Sequence, residues 1–174
     1  MKYIFYRITI LSICIVGLFS SCKIRQPNMA KIDSNNVADS IIKASLLNNK
    51  CEQINSIIPS DKTGADFVVL LYHGYDCDKC IMTGFSLIKL IEKKYPKVFA
   101  IGIMANTSVQ QINYNYKKYI YSDNNDIIRN ELRYAPTPLL LHIDSSYIIK
   151  DALYLGNNNK KQQDLFIYKC MQFK

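Results

Sequence analysis

Asp66-Phe67-Val68-Val69-Leu70-Leu71-Tyr72-His73-Gly74-Tyr75-Asp76-Cys77-Asp78-Lys79-Cys80 is the stretch from which the rest of the chain is read. Phe67 to Tyr72 is an apolar run rich in strand formers, too short for an independent helix and closed by Gly74. Such a run describes a strand buried on both faces, as in a parallel or mixed sheet. Beyond the two cysteines, Ile81, Phe85, Leu87, Ile88, Leu90 and Ile91 recur at helical spacing as far as Tyr95-Pro96. The pair therefore falls where a central strand turns into the first turn of a helix. Unpaired backbone N–H groups and the positive end of the helix dipole converge at such a point and stabilise a thiolate. Cys80, three residues along the helix from Cys77, lies within its reach and can close or reopen a disulfide.

Upstream, Val37, Ile41, Ala44, Leu47, Cys51, Ile54 and Ile58 step by three or four. That spacing predicts a helical extension over 37–59, one face of a long helix or of two short ones, ending at Pro59. Ser60 to Gly64 is a polar connector. Downstream, Val98 to Met104 reads as a second buried strand, and the Tyr-rich stretch 107–119 as a helix or irregular crossover. Residues 124–134 read as a helix with Ile127, Ile128 and Leu132 inward and Asp123 or Asn124 as its cap. Ala135-Pro136-Thr137-Pro138 then leads into Leu139-Leu140-Leu141-His142-Ile143-Asp144. A proline cannot donate to a ladder, so it belongs at the first position of that strand. Ser145-Ser146 turn the chain, Tyr147 to Leu155 returns as a paired strand, and 156–159 is a loop. A last helix runs from Lys161 to Phe173 with Phe166, Cys170 and Phe173 on one face. Cys51 and Cys170 both read as small buried hydrophobes.

The 174 residues suit one domain plus a targeting segment, and 49% apolar against 21% charged excludes wholesale disorder. Trp is absent, so the 13 Tyr supply most of the large ring surface. The formal charge is +8; without Lys2 and Arg7 of the leader, 20 basic residues face 14 acidic ones, or +6. Those charges are dispersed, with Lys93-Lys94, Lys117-Lys118 and Lys160-Lys161 as the only Lys doublets. That is the pattern of a solvated basic exterior, and no nucleic-acid partner is expected.

Residues 1–21 carry Lys2 and Arg7, then an uncharged, mostly apolar run from Ile8 to Phe19, then Ser20-Ser21-Cys22. The run is too short to span a bilayer comfortably and fits a secretory signal peptide, with an uncleaved anchor over residues 3–21 as the rival reading. Small residues directly before a cysteine resemble a bacterial lipoprotein signal, with Leu18 one place further back than the usual aliphatic position. The resemblance implies cleavage before Cys22, lipid on its thiol, and attachment to the membrane in the cell envelope, facing the periplasm. Residues 22–36 are polar, contain Pro27 and read as a tether. An exported chain makes disulfide chemistry possible.

The order strand, helix, strand, helix, two-stranded hairpin, helix over 66–174 resembles the thioredoxin-like fold of membrane-tethered bacterial thiol–disulfide proteins. The resemblance rests on Cys77-Asp78-Lys79-Cys80 after a strand and on Thr137-Pro138 before the aliphatic run that ends at Asp144. It implies an α/β domain with a central mixed sheet of about four strands flanked by helices, preceded by the extra N-terminal helical segment. It further implies that Cys77 attacks, that Cys80 resolves from a more buried place, and that Pro138 is cis beside them. Thr137 would offer its backbone to a bound polypeptide with Tyr75 flanking the site, while Asp78 and Lys79 tune the pair. The partners implied are exported proteins with thiols or disulfides and a separate redox partner, with no cofactor. Two departures stand out: Tyr75-Asp76 precede Cys77 where family members usually have Trp, and Leu71 occupies the place of a carboxylate that assists the second thiol.

Two further readings compete with an exchange enzyme. One is a non-catalytic binding lipoprotein with the pair locked as a disulfide. The other is a thiol chaperone for a soft cation such as Cu(I), held by Cys77 and Cys80, with His73 or His142 as a conceivable third ligand. His142 sits inside an apolar strand, where a satisfied core histidine is the simpler account, and a zinc knuckle would need a second close cysteine pair. No metal site is expected on that ground.

Overall fold

A computed structural model of the chain describes residues 34–57, 64–95, 99–105, 116, 120–123, 125–157 and 159–172. The leader (1–21), Cys22, the tether as far as residue 33, residues 58–63, Asn124, Phe173 and all of 107–119 except Tyr116 lie outside the described residues. The elements are α1 (Ser34–Leu46), a 3-10 helix (Glu52–Ser56), β1 (Phe67–His73), α2 (Asp78–Lys94), β2 (Phe99–Ala105), β3 (Ile120–Asp123), α3 (Ile127–Glu131), β4 (Leu139–Ile143), β5 (Ile149–Tyr154) and α4 (Lys160–Cys170).

The strands form one mixed sheet in the order β3-β2-β1-β4-β5. β1, β2 and β3 run parallel, β4 runs antiparallel to β1, and β5 antiparallel to β4. β1 is thus central, which explains its uninterrupted apolar sequence: both of its faces are covered. Its even residues Val68, Leu70 and Tyr72 pack with Ile81, Phe85, Ile88 and Ile91 of α2 and with Phe166, Ile167 and Cys170 of α4. Its odd residues Phe67, Val69 and Leu71 join Leu46, Cys51, Ile54, Ile128 and Leu132 on the opposite face. The period-2 alternation of a strand alone sorts these residues into two layers, and each fully buried Leu, Ile or Phe contributes about 1.5–3 kcal/mol. α2 lies close on β1 because Gly84 has no side chain; a Cβ there would come within 2.6 Å of Leu70 Cδ1.

Three features differ from the sequence reading. The mixed sheet is the one expected, with a strand added at its edge, β3, that brings it to five. With four residues, half-exposed Ile120 and Tyr121 and an exposed Ser122, it carries too short and mixed a pattern to be seen. The N-terminal apolar series does not share one face: Val37 is 44% and Ile41 65% exposed and Ala44 is exposed, whereas Cys51 and Ile54 are buried. The helix ends at Leu46, and Asn48 at φ 65° turns the chain so that Lys50 bridges to Ile148. Residues before and after that turn lie on different axes, so a shared period across it has no structural meaning. Finally, the helix expected over 124–134 contracts to α3, where Ile128 is buried but Ile127 is 38% exposed. The Asp123 carboxylate, buried at the end of β3, accepts from Ile127 N–H and Ile128 N–H at 2.9 Å each.

Candidate active site

The site lies at the C-terminal end of β1. There the chain turns through Gly74-Tyr75-Asp76 and enters α2, with Cys77 as its N-cap. Cys77 is exposed; Cys80 is only 8% exposed and belongs to the apolar layer beneath α2. The two are joined as a disulfide with their Cα atoms 5.2 Å apart. Cys80 N–H points at Cys77 Sγ at 3.3 Å, and Cys80 and Ile81 N–H donate to Cys77 O at 2.9 and 3.0 Å. Helix-opening N–H groups are therefore aimed at Cys77, one of them at its sulfur, and Asp78 and Lys79 are both exposed between the cysteines.

The second wall of the site is the chain entering β4. Thr137–Pro138 is a cis peptide bond; Pro138 is buried and Pro136 exposed. Arg133 (φ 52°) and Tyr134 (φ 53°) both take left-handed backbone just before, turning the chain out of α3 and towards this segment. Leu71 of β1 pairs with Leu139, which puts Pro138 one step further along, at the end of β1 from which the cysteine turn departs. Pro138 O accepts from Leu155 N–H at 3.0 Å, so the β4–β5 pairing reaches the site.

The two walls are tied by Asp76. Its Oδ2 accepts from His73 N–H at 2.7 Å and its Oδ1 accepts the Thr137 hydroxyl at 3.0 Å. His73 Nδ1 accepts from Tyr75 N–H at 3.2 Å, and the two rings stack with centroids 5.1 Å apart while Tyr75 stays 80% exposed. In the sequence Asp76 stands out only as part of the Tyr75-Asp76 step that replaces a Trp before Cys77. An Asp in a tight turn after a glycine is a signal for local backbone capping, but its partner Thr137 lies 61 residues away.

Of the residues singled out from sequence, Cys77, Cys80, Tyr75, Asp78, Lys79, Thr137 and Pro138 fall at this end of β1. His142 does not. It pairs with Val68, five residues before His73, which places it about 16 Å back along the strand at ~3.3 Å per residue. It is fully buried; burial lowers its pKa below the ordinary 6.5, against the opposing pull of Asp66, Asp151 and Asp144. Leu71 is also fully buried and apolar in its surroundings. Cys51 and Cys170 are unpaired and buried. Burial, followed by the Glu131 charge, pushes the Cys51 thiol far up, and burial, followed by the Asp151 charge, pushes Cys170 up to about 12.

The same architecture occurs in solved structures. A secreted disulfide oxidoreductase of Mycobacterium tuberculosis is 15% identical, with a TM-score of 0.50 over 66% of this chain and 86% of its own. A candidate protein disulfide isomerase of Bacteroides thetaiotaomicron is 16% identical, with a TM-score of 0.51 over 63% of this chain and 74% of its own. At such identities the likeness is one of fold, and the fold is thioredoxin-like. No protein-family model matches the chain, and no curated protein matches it significantly. Among the described residues, no helix is long and apolar enough to cross a membrane.

Proposed function

We propose that the protein is a thiol–disulfide oxidoreductase of the cell envelope, lipid-anchored at Cys22 and facing the periplasm, that exchanges disulfides with exported proteins. The observation that carries this reading is the asymmetry of the pair: an exposed Cys77 capping α2, disulfide-bonded to a buried Cys80, beside the cis Thr137–Pro138 segment. In the reduced protein the Cys77 thiolate, held by the N–H groups that open α2, attacks one sulfur of a substrate disulfide. That S–S bond breaks and one substrate sulfur leaves as a thiolate. Cys80 then gives up its proton and attacks Cys77 Sγ. The mixed disulfide breaks, the second substrate thiol departs, and the Cys77–Cys80 disulfide carries the two oxidising equivalents away. Run backwards, the same steps oxidise a substrate dithiol. Thr137 offers its backbone to the substrate chain, Tyr75 flanks the entry, and the exposed Asp78 and Lys79 set the local charge.

The test is insulin reduction with dithiothreitol as electron source. Wild type should accelerate it and Cys77→Ser should fall to the uncatalysed rate; a Cys77→Ser protein as active as wild type overturns the reading. The equilibrium potential of the dithiol against glutathione then assigns direction, a strongly negative value marking a reductant. The anchor has its own check. Wild type should incorporate radiolabelled palmitate and Cys22→Ser should not, whichever fraction it sediments with; equal incorporation by the two would refute lipidation at Cys22.

A further inference from the structure

We propose that Asp76 is a positioning residue that sets the spacing between Cys77 and the Thr137–Pro138 segment, and so fits the site to polypeptide disulfides in preference to small ones. This rests on the exchange reading of the site. The carboxylate uses one oxygen to hold His73 N–H, closing the turn that presents Cys77, and the other to hold the Thr137 hydroxyl across the site. A substrate chain that lies along the Thr137 backbone must deliver its sulfur to Cys77 at the same time. Both contacts depend on one fixed separation, and the Asp76 carboxylate spans it. A small disulfide approaches Cys77 without touching Thr137 and has no use for that spacing.

The chemistry of Asn and Ala separates this role from that of a charge next to Cys77. An Asn at 76 can accept from His73 N–H with its carbonyl oxygen and donate from its NH2 group to the Thr137 oxygen, so the bridge survives. An Ala loses both bonds. Neither carries a charge, so any influence of the carboxylate on the Cys77 thiolate cancels between the two variants.

With the full chain, KM and kcat are measured for insulin and for hydroxyethyl disulfide, with dithiothreitol as reductant and thermal melts confirming that each variant folds. Asp76→Ala should raise the insulin KM about tenfold over Asp76→Asn, the effect of one lost oriented contact, with kcat differing by less than about twofold. On hydroxyethyl disulfide the two variants should agree within about twofold, since that substrate makes no contact to lose. Thr137→Val should reproduce the rise, Thr137→Ser should reverse it, and adding Asp76→Ala to Thr137→Val should change little further. Equal insulin KM for Asp76→Ala and Asp76→Asn, or equal losses on both substrates, overturns the positioning role while leaving the exchange reading intact. A wild type inactive on both substrates overturns the exchange reading, and the positioning role with it.

Discussion

Cys77 and Cys170 are the same chemical group held in opposite ways. Cys77 sits at the solvent edge of the sheet, where the opening N–H groups of α2 are turned towards it. Cys170 lies in the last turn of α4, 1% exposed against the sheet, with its thiol pushed up to about 12. Cys51, on the other face, is 0% exposed and pushed up further, with Glu131 close enough to add to the effect of burial. Burial, more than place on a helix, separates these cysteines: Cys51 also caps a helix, the 3-10 turn Glu52–Ser56, yet its thiol is pushed up. A thiolate at an exposed N-terminus keeps both donors and water; one in a buried layer loses its hydration even where a backbone N–H is near.

The sharpest way to break the comparison is differential alkylation of the reduced, folded protein at pH 8 with iodoacetamide, read by mass spectrometry. A thiol with a pKa near 12 is ~10⁻⁴ thiolate at that pH, so Cys170 should lag Cys77 by about three orders of magnitude or more. Because the thiolate fraction grows with pH, whatever labelling occurs at Cys170 should climb about tenfold per unit until unfolding intervenes. In denaturant, all described cysteines should label alike. Fast native labelling of Cys51 or Cys170 would mean that burial does not govern their chemistry.

A smaller effect is expected within the reactive pair itself. Leu71, six residues before Cys77, lies in the apolar layer on the opposite face of the sheet from Cys80, so it should play no part in the deprotonation of Cys80. Cys80→Ser should trap mixed disulfides at Cys77 outright. Leu71→Glu should lower the melting temperature, because it buries a carboxylate, and should release substrate no faster than wild type. Release accelerated several-fold by Leu71→Glu would mean that a carboxylate at 71 reaches Cys80 through the sheet.

Much of the architecture was legible in local pattern. β1 announced itself by an unbroken apolar run, α2 by its inward residues Ile81, Phe85, Ile88 and Ile91, and the β4–β5 hairpin by Ser145-Ser146 between two apolar stretches. The errors fell where local pattern is weakest. Edge strand β3 is short and half-exposed, and Val37 and Ile41 carry a helical period on a face of α1 that points to solvent. Neither outcome follows from the residues concerned; each depends on what lies beside them.

The amino-acid sequence by itself determined that two cysteines would open a helix after a central strand and that a Thr-Pro step would precede an apolar strand, because strand runs, helix periods and turn residues are properties of a few neighbouring positions. Only the tertiary structure decided that Asp76 would bond Thr137 and that His142 would lie far from the sulfurs. Those depend on the register of β1 with β4, and register is settled by the packing of both faces of the sheet at once.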